Sequence, residues 1–379
     1  MRVVLNGWFF RHHTRTGTGQ YLRALVDWLP KVSADADYHL VTPGAPTSSG
    51  APAGWSLYPM ASGPGDLDKL YFEQVLFPLA CRRLRADLAH VPYWAPPLFS
   101  TGAPFVVTIH DLIPRLLPQY RGGVLVRAYT ALVSAATPRA SLILADSDAS
   151  RLDILHNLGL PENRVRRVFL AADERYCPQG DLAVSHACRR KYGLPKKYAL
   201  YLGGFDVRKN VPALLEAWSK AHLARHSLLV LAGSVPKPDG RLFADYAGLT
   251  ASLGLTSAVK FIGPVDEADK PALYRGAAVF IYPSRYEGFG LPPLEAMACG
   301  TPVVTTRCAS LPEVVGQAAL MVSPDDPGAL GRAILACLTE PGTAHALSER
   351  GLEQARQFSW KKTALDTAEA YAAAAARRP

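Results

Sequence analysis

The chain has 379 residues, of which 49% are hydrophobic and 19% are charged, and its formal net charge is +9. This length exceeds the size at which one hydrophobic core usually stops growing, so two domains are expected, and the hydrophobic fraction excludes a disordered chain. The basic residues are dispersed apart from short groups such as Arg82, Arg83 and Arg85. Nucleic acid is therefore not an expected partner, whereas a phosphorylated substrate or an anionic membrane face would account for the charge.

Cysteine usage and hydropathy indicate a cytoplasmic enzyme. The six cysteines form no CxxC pair, so neither a zinc site nor a disulfide framework is predicted. The first ten residues have the pattern of a first strand and not of a signal peptide. No stretch reaches the roughly 18 uninterrupted apolar residues that a spanning helix needs. Any membrane contact is expected to be peripheral, on the inner face of the cell membrane.

In the first half, short β-branched runs alternate with stretches whose apolar residues recur every three to four positions. Near-continuous apolar strands between helices predict a parallel sheet that is covered on both faces. The predicted strands are 2–5, 38–42, 105–110 and 141–147, and the clearest helices are 20–29 and 150–158.

The same alternation begins again in the second half. The polar stretch 177–197 contains Pro and Gly, which suits a connection between domains. An Ala-rich segment from Phe358 onward is predicted to be helical, with basic residues at its end. The predicted strands of this half are 198–204, 227–233, 258–263, 277–284, 301–306 and 318–322.

Two similar α/β domains would leave a crevice at the carboxyl ends of their strands, where ligands bind in this class. We predict an N-terminal Rossmann-like domain over 1–178, a second Rossmann-like domain over 179–358 and a final helix over 359–379.

Two glutamates flank the turn that leaves the predicted strand 277–284. Ser284 ends this strand, and Glu287 and Glu295 follow with seven residues between them. Gly288 and Gly290 would allow the backbone to approach a ligand closely. The stretch resembles a cradle for a ligand that has both phosphate and hydroxyl groups.

The helix predicted after this turn also favours a ligand that contains phosphate. Pro292 and Pro293 suit a first helical turn, and a helix N-terminus attracts phosphate. A carboxylate beside phosphate is repelled, so each glutamate is expected to face hydroxyl groups, as acidic residues do on nucleotide ribose. In the alternative interpretation, Glu295 lies in the first turn and only interacts with the helix dipole.

A second stretch, Tyr201–Val211, places cations near the crevice. Gly203 and Gly204 follow a strand end, and Arg208 and Lys209 come next. Two cations are what an anionic diphosphate leaving group requires. The alternative is a solvated surface pair at the start of a helix.

Two further candidates lie in the first half. His110 closes the strand 105–110, where it could reach a ligand or could be an ordinary loop histidine. Gly17 and Gly19 precede a predicted helix, but Leu22 stands where a dinucleotide fingerprint needs a third glycine, so NAD binding is not expected. Residues 12–15 either contact an acceptor substrate or form a solvated basic turn.

Three Asp-x-Asp matches could suggest a metal, but so short a motif occurs by chance about once in such a chain. Asp146 and Asp148 flank the junction of a strand and a helix, and we interpret them as helix N-caps. No metal site is predicted.

The spacing of Glu287 and Glu295 resembles the signature of the retaining glycosyltransferases of family 4, which have the GT-B fold. The resemblance implies that Glu287 lies by the donor sugar hydroxyls and that Glu295 binds the ribose. It implies that Arg208 and Lys209 bind the diphosphate in place of a metal, and that His110 lies near the donor sugar. The backbone of Gly288, Phe289, Gly290 and Leu291 would meet the sugar and the diphosphate, with Ser284 and Gly204 beside them, while Gly17 and Gly19 would face the crevice and the acceptor.

The resemblance covers most of the chain. Glu73 and Gln74, together with the TIHDLIP stretch 108–114, are similar to bacterial mannosyltransferases that build O-antigen and exopolysaccharide from GDP-mannose. The resemblance implies two facing domains, an N-terminal one for a saccharide or lipid-linked acceptor and a C-terminal one for the nucleotide sugar. It also implies that the C-terminal helix over 359–379 crosses back to the N-terminal domain. A departure is Ala171, where the family more often has glycine.

Other interpretations stay open at this stage. A UDP-sugar could replace GDP-mannose as the donor, or the chain could bind a nucleotide sugar without turnover. A glycosidase would need the two carboxyl groups about 5–5.5 Å apart across a sugar, and the glycine-rich turn and the Arg-Lys pair argue against it. An epimerase or a phosphorylase of the same fold would be distinguished by its product.

Overall fold

The computed structural model describes residues 1–12, 16–44, 51–63 and 65–377. The chain forms two compact units, Met1–Leu170 together with Trp360–Pro379, and Ala171–Ser359. Each unit is a parallel sheet with helices, which confirms the predicted α/β class.

The first unit contains a seven-stranded parallel sheet in the order β3-β2-β1-β4-β5-β6-β7. Three of these strands, β3, β4 and β7, were not predicted. The edge strand β3 contains a proline, and β7 has only three residues. The strands are β1 Arg2–Asn6, β2 Asp37–Pro43, β3 Trp55–Met60, β4 Leu88–Val91, β5 Phe105–Ile109, β6 Leu142–Ala145 and β7 Val165–Arg167.

Helices connect these strands. One π-helical turn, Phe72–Leu76, joins two consecutive helices. The central strands β4, β5 and β6 are buried along their whole length, as expected for strands covered on both faces. The helices are α1 Trp8–His12, α2 Gly17–Val32, α3 Asp66–Tyr71, α4 Phe77–Arg83, α5 Ile113–Leu116, α6 Val124–Ala136 and α7 Asp148–Leu158.

The second unit contains a six-stranded parallel sheet in the order β10-β9-β8-β11-β12-β13. All six strands were predicted, with ends that differ by one or two residues. The strands are β8 Tyr198–Leu202, β9 Leu229–Ala232, β10 Val259–Gly263, β11 Ala277–Tyr282, β12 Val303–Thr306 and β13 Ala319–Val322.

The helices of this unit begin inside the stretch that was predicted to be a connection. Helix α8 runs from Leu182 to Tyr192 and is capped by the Asp181 side chain, which accepts from Ala183 N at 2.7 Å. The composition is polar because this helix is largely exposed, so the prediction of a plain linker was wrong. The helices are α8 Leu182–Tyr192, α9 Val211–Lys220, α10 Tyr246–Ser252, α11 Lys270–Gly276, α12 Leu291–Ala298, α13 Leu311–Val315, α14 Pro327–Thr339 and α15 Pro341–Ala355.

The last helix, α16 (Trp360–Ala375), belongs to the first unit, which confirms the predicted return of the chain. It packs against α2 and against strands β4 and β5. Tyr371 Oη lies 2.7 Å from Nδ1 of the buried His90, and Thr363 Oγ1 donates to Phe169 O at 2.6 Å. In the parts of the chain that the structure describes, no helix has both the length and the apolar run needed to cross a membrane.

Candidate active site

The candidate site of the second unit lies where β8 and β11 end. These two strands are neighbours. The connection from β8 leads to β9 on one side of the pair, and the connection from β11 leads to β12 on the other side, so the two connections run in opposite directions along the sheet. Ligands of open α/β sheets bind at such switch points. The segment after β8 carries Arg208 and Lys209, and the turn after β11 carries Glu287.

The Glu287 carboxylate is the centre of this site. Its Oε1 atom accepts from Lys209 Nζ at 2.7 Å and from Ser284 Oγ at 2.5 Å, and Arg208 Nη1 lies 2.9 Å away. Tyr282 Oη also accepts from Lys209 Nζ, at 2.5 Å. The structure therefore brings together the predicted residues Ser284, Arg208, Lys209 and Glu287.

Arg208 and Lys209 form a short 3-10 turn, Val207–Lys209, ahead of helix α9. Lys209 is only 8% exposed, so the alternative of a solvated surface pair is wrong for this residue. Arg208 Nη1 donates to Tyr286 O at 2.9 Å, and its Nε lies 3.4 Å from Asp206. Both cations thus lie at the turn that follows β11.

Burial and charge act in opposite directions on these groups. Burial raises the pKa of Glu287, but Lys209 and Arg208 oppose it more strongly and hold that pKa below its usual value. Burial lowers the pKa of Lys209, and Glu287 offsets only part of this effect. The carboxylate is therefore ionised at neutral pH, with the two cations beside it.

Hydrogen bonds from Ser310 and packing of Phe289 fix the backbone of the turn 287–291. Ser310 Oγ lies 2.9 Å from Glu287 O and 2.6 Å from Phe289 O, and the buried Phe289 ring packs edge-on against Phe358. Gly290 has φ +115°, a conformation that side chains with Cβ rarely adopt, and Leu291 begins helix α12 directly after it. Gly288 lies between these fixed points.

Glu295 lies in the second turn of α12 and not in the first, so its predicted position was wrong, and with it the alternative interpretation in which it only interacts with the helix dipole from the first turn. It is buried, and Tyr274 Oη donates to its Oε2 at 2.9 Å. Burial raises the pKa of this carboxyl, while the Lys270 charge and the Tyr274 hydrogen bond oppose that rise. The closing Glu of the motif is thus held by a tyrosine of helix α11.

Gly204 lies beyond the end of β8, and its carbonyl accepts a hydrogen bond from Tyr201 Oη. A Cβ atom at this position would lie 3.1 Å from Asp206 Oδ2. A side chain here would press on the segment that leads to Arg208.

In the first unit, His110 follows β5 and pairs with a carboxylate at the end of β6. Its Nδ1 atom lies 2.7 Å from Asp146 Oδ2, and its Nε2 atom lies 3.2 Å from Pro92 O. Burial lowers the pKa of His110, but the Asp146 carboxylate raises it by more than burial lowers it, so the pKa lies above the usual value. The Tyr21 ring packs edge-on against the imidazole at 5.1 Å.

The Asp146/Asp148 pair does not cap a helix in the predicted way. The N-cap of α7 is Ser147, whose Oγ accepts from Ser150 N at 2.9 Å. Asp146 instead pairs with His110, and Asp148 pairs with Arg167 at 2.6 Å. The polar residue between the two aspartates is the better cap because its short side chain folds back onto the helix backbone.

Gly17 and Gly19 lie within the first turn of α2 and not before it. Thr16 caps this helix through a hydrogen bond from Gly19 N to Thr16 Oγ1 at 3.1 Å. A Cβ atom at Gly17 would meet no other atom within 4 Å, so packing does not require glycine there. Of the predicted loop 12–15, His12 ends helix α1, and residues 13–15 lie outside the described residues.

Sequence reasoning assigned no role to Tyr274, Tyr282, Ser310 or Asp206. Tyr282 is the last residue of β11 and lies two residues before the end of the strand predicted over 277–284, so its position near Lys209 could have been anticipated from strand ends alone. Tyr274 and Ser310 act across the chain, 21 and 23 residues from the groups they contact, and no local pattern marks them. Over the described ranges, no cluster of three or more His, Cys, Asp or Glu side chains could hold a metal ion.

Two family models match the chain. The model described as Glycosyltransferase Family 4 matches residues 15–174, and the model described as Glycosyl transferases group 1 matches residues 196–340. The chain is also 36% identical over 269 residues to O-antigen chain mannosyltransferase B of Escherichia coli, covering 70% of this chain and 69% of that protein. The chain belongs to glycosyltransferase family 4 and is a glycosyltransferase.

Other relatives share the family but differ in extent and in name. The chain is 34% identical to the serotype-specific mannosyltransferase WbdA of E. coli, covering 68% of this chain but only 32% of that protein. It is 30% identical to D-inositol 3-phosphate glycosyltransferase 2 of Catenulispora acidiphila, covering 75% of this chain and 70% of that protein.

Solved structures establish the fold as GT-B. Sucrose-phosphate synthase from Thermosynechococcus elongatus matches with a TM-score of 0.77 at 23% identity, covering 98% of both chains. HepE from Anabaena in complex with UDP and glucose matches with a TM-score of 0.73 at 20% identity, covering 98% of this chain and 99% of that one.

Proposed function

We propose that the protein transfers mannose from GDP-mannose to a saccharide or lipid-linked saccharide acceptor in cell-surface polysaccharide synthesis. The transfer would retain the configuration at the anomeric carbon and would need no metal ion. The observation that carries the proposal is the buried cluster in which Arg208 and Lys209 both contact the Glu287 carboxylate.

The cluster suits a diphosphate leaving group. Arg208 and Lys209 are held by the carboxylates of Glu287 and Asp206, and an incoming diphosphate would meet both basic groups within a buried environment where electrostatic interactions are strong. Because Tyr282, Ser284 and Glu287 already orient these groups, little reorganisation would be needed when negative charge develops.

Glu287 would position the sugar and would not attack it. The three donors that converge on this carboxylate reach Oε1 and hold the side chain in one orientation. In the proposed step, the bond from the anomeric carbon to the diphosphate oxygen breaks as the acceptor hydroxyl attacks from the same face. The hydroxyl proton passes to the departing diphosphate, and no covalent enzyme intermediate forms.

The remaining predicted residues have supporting roles in this proposal. Glu295 would accept hydrogen bonds from the ribose hydroxyl groups, and the backbone of residues 288–291 would face the diphosphate and the sugar. His110, held by Asp146, would lie near the donor sugar, and the α2 start with Gly17 and Gly19 would face the acceptor.

The choice of mannose rests on the relatives, since O-antigen chain mannosyltransferase B and WbdA are mannosyltransferases by name. A UDP-sugar is the second candidate donor, because HepE, which has the same fold, was solved with UDP and glucose. We place the protein in the cytoplasm, with peripheral contact to the inner face of the membrane, where a lipid-linked acceptor would be met.

Calorimetric titration in EDTA tests the donor and the metal-free site together. Wild type is titrated with GDP, UDP, GDP-mannose and UDP-glucose, and the ligand that binds is then titrated into Arg208→Ala and into Arg332→Ala, an exposed arginine of helix α14. We expect micromolar binding of the guanine ligands that only Arg208→Ala loses. Preference for the uridine ligands would overturn the donor assignment, and binding by none would overturn the nucleotide-sugar proposal.

A further inference from the structure

The first unit contains a cavity of about 890 Å³ that none of the proposed roles uses. It lies at the amino ends of three strands, since Asp87 precedes β4, Pro104 precedes β5 and Ser141 precedes β6. The site residues proposed for this unit, His110, Gly17 and Gly19, follow the carboxyl ends of β5 and β1, at the opposite end of the parallel sheet. The cavity is therefore separate from these residues.

Three arginines from two parts of the chain line this cavity. Arg82 and Arg85 lie at the end of α4 and just beyond it, and Arg139 lies in the turn before β6. Over the described residues, none of the three guanidinium groups has an ion pair or a hydrogen bond to a protein group. The acidic residue of the lining, Asp87, accepts from Arg2 N at 2.9 Å.

A second arginine-rich cavity of the same unit, of about 530 Å³, provides an internal comparison. Four arginines line it. Arg151, Arg166 and Arg167 each have a carboxylate within 3.3 Å, from Glu162, Glu369 and Asp148 respectively, and Arg377 donates to the carbonyl oxygens of Ser141 and Asn163. Those guanidinium groups are satisfied by the protein itself. The first cavity gathers three arginines and a single carboxylate, Asp87.

Guanidinium groups that share one cavity repel one another and attract anions, and they match the geometry of phosphate oxygens well. The exposed Phe99 ring on the rim and the hydroxyl groups of Ser100 and Ser141 add apolar and polar contacts for the organic part of a ligand. We propose that this cavity binds a phosphate-bearing ligand at a site separate from the donor site. The phosphate could belong to a soluble phosphorylated molecule or to a lipid headgroup.

Matched triple variants test the site. The pocket variant carries Arg82→Gln, Arg85→Gln and Arg139→Gln, and the control carries Arg83→Gln, Arg332→Gln and Arg356→Gln, three exposed arginines outside the cavity. Both variants lose three positive charges and keep Arg208 and Lys209, so binding at the donor site is common to both. Circular dichroism and melting temperature confirm folding, and the three single variants of the pocket separate the contributions.

Two probes distinguish the sources of phosphate. Inorganic pyrophosphate is titrated calorimetrically, and sedimentation measures binding to phosphatidylcholine vesicles with and without phosphatidylglycerol. We expect the pocket variant to bind one of the two anionic probes about tenfold or more weakly than wild type, while the control keeps its affinity. Loss with pyrophosphate identifies a soluble ligand, and loss with the anionic vesicles alone identifies a headgroup.

Equal losses in the two triple variants would show an effect of net charge and would overturn the proposal. The same conclusion follows if wild type binds neither probe, or if the pocket variant binds both as well as wild type does. The outcome is independent of the donor assignment, because donor hydrolysis can be measured in the same preparations.

Discussion

Lys209 Nζ lies 2.7 Å from Glu287 Oε1, and these side chains, 78 residues apart in the chain, are each only 8% exposed. A buried charge is costly unless a partner satisfies it. The pair persists because strands β8 and β11 are neighbours and end at the same edge of the sheet. Removing Glu287 would leave the buried Lys209 without the carboxylate that it contacts, whereas removing Lys209 would leave Glu287 with Arg208 at 2.9 Å as its cationic partner.

Lys209→Ala should mainly reduce turnover. We expect kcat to fall about 10²- to 10³-fold, the usual loss when one preorganised donor to a developing anion is removed. Lys220→Ala is the control, since this exposed lysine of helix α9 pairs with Glu216 one turn away. Steady-state kinetics with donor and acceptor measure both variants, and a wild-type kcat in Lys209→Ala would remove this residue from the mechanism.

Glu295 should make the protein less stable as the pH rises. Burial raises its folded-state pKa above the usual 4.5, so between 4.5 and that raised value the folded state holds a proton that the unfolded chain releases. The free energy of unfolding should therefore fall across this window. Glu295→Gln should remove that fall, as measured by urea unfolding at a series of pH values.

Donor titration separates the ligand role of Glu295 from its effect on stability. Glu295→Ala should weaken donor binding while the protein stays folded at pH 7. Glu353→Ala, an exposed glutamate of α15, serves as the control. Wild-type donor affinity in Glu295→Ala would contradict the ribose assignment.

Asp146→Asn should lower the pKa of His110. The Asp146 carboxylate raises this pKa against the effect of burial. The stability that the folded protein gains from protonated His110 beside Asp146 is therefore present below the usual pKa of 6.5 and is lost as the pH rises through the folded-state pKa. Histidine NMR titration measures the change directly. Asp148→Asn, which alters the exposed pair with Arg167, should leave the His110 titration where it is. Equal effects of both variants would contradict the specific pairing.

Tyr371→Phe should destabilise the first unit. Tyr371 Oη contacts Nδ1 of His90, which is fully buried and whose other nitrogen lies 2.9 Å from Thr108 Oγ1. Leaving a buried ring nitrogen without a partner costs about 1–3 kcal/mol in the free energy of unfolding. Tyr71→Phe, at a half-exposed tyrosine, should change that energy little, and equal values for the two variants would argue against a role for the buried contact.

The fold class was predictable because burial leaves a periodic trace in the sequence. Strands such as β8 and β11 are buried on both faces and therefore have near-continuous apolar runs, while the edge strand β3 and the short strand β7 carry too little of this pattern. The polar stretch that contains α8 misled because an exposed helix and a linker have similar compositions.

The sequence by itself determined two parallel α/β units, the return of the last helix and the segments where polar residues follow strand ends. Only the tertiary structure decided which polar groups meet, because partner choice depends on strand order and on side-chain direction. Glu287 with Lys209, Glu295 with Tyr274, and His110 with Asp146 are separated by 78, 21 and 36 residues. Local periodicity reports whether a residue is buried, but the identity of its neighbour across the sheet is a property of the folded chain.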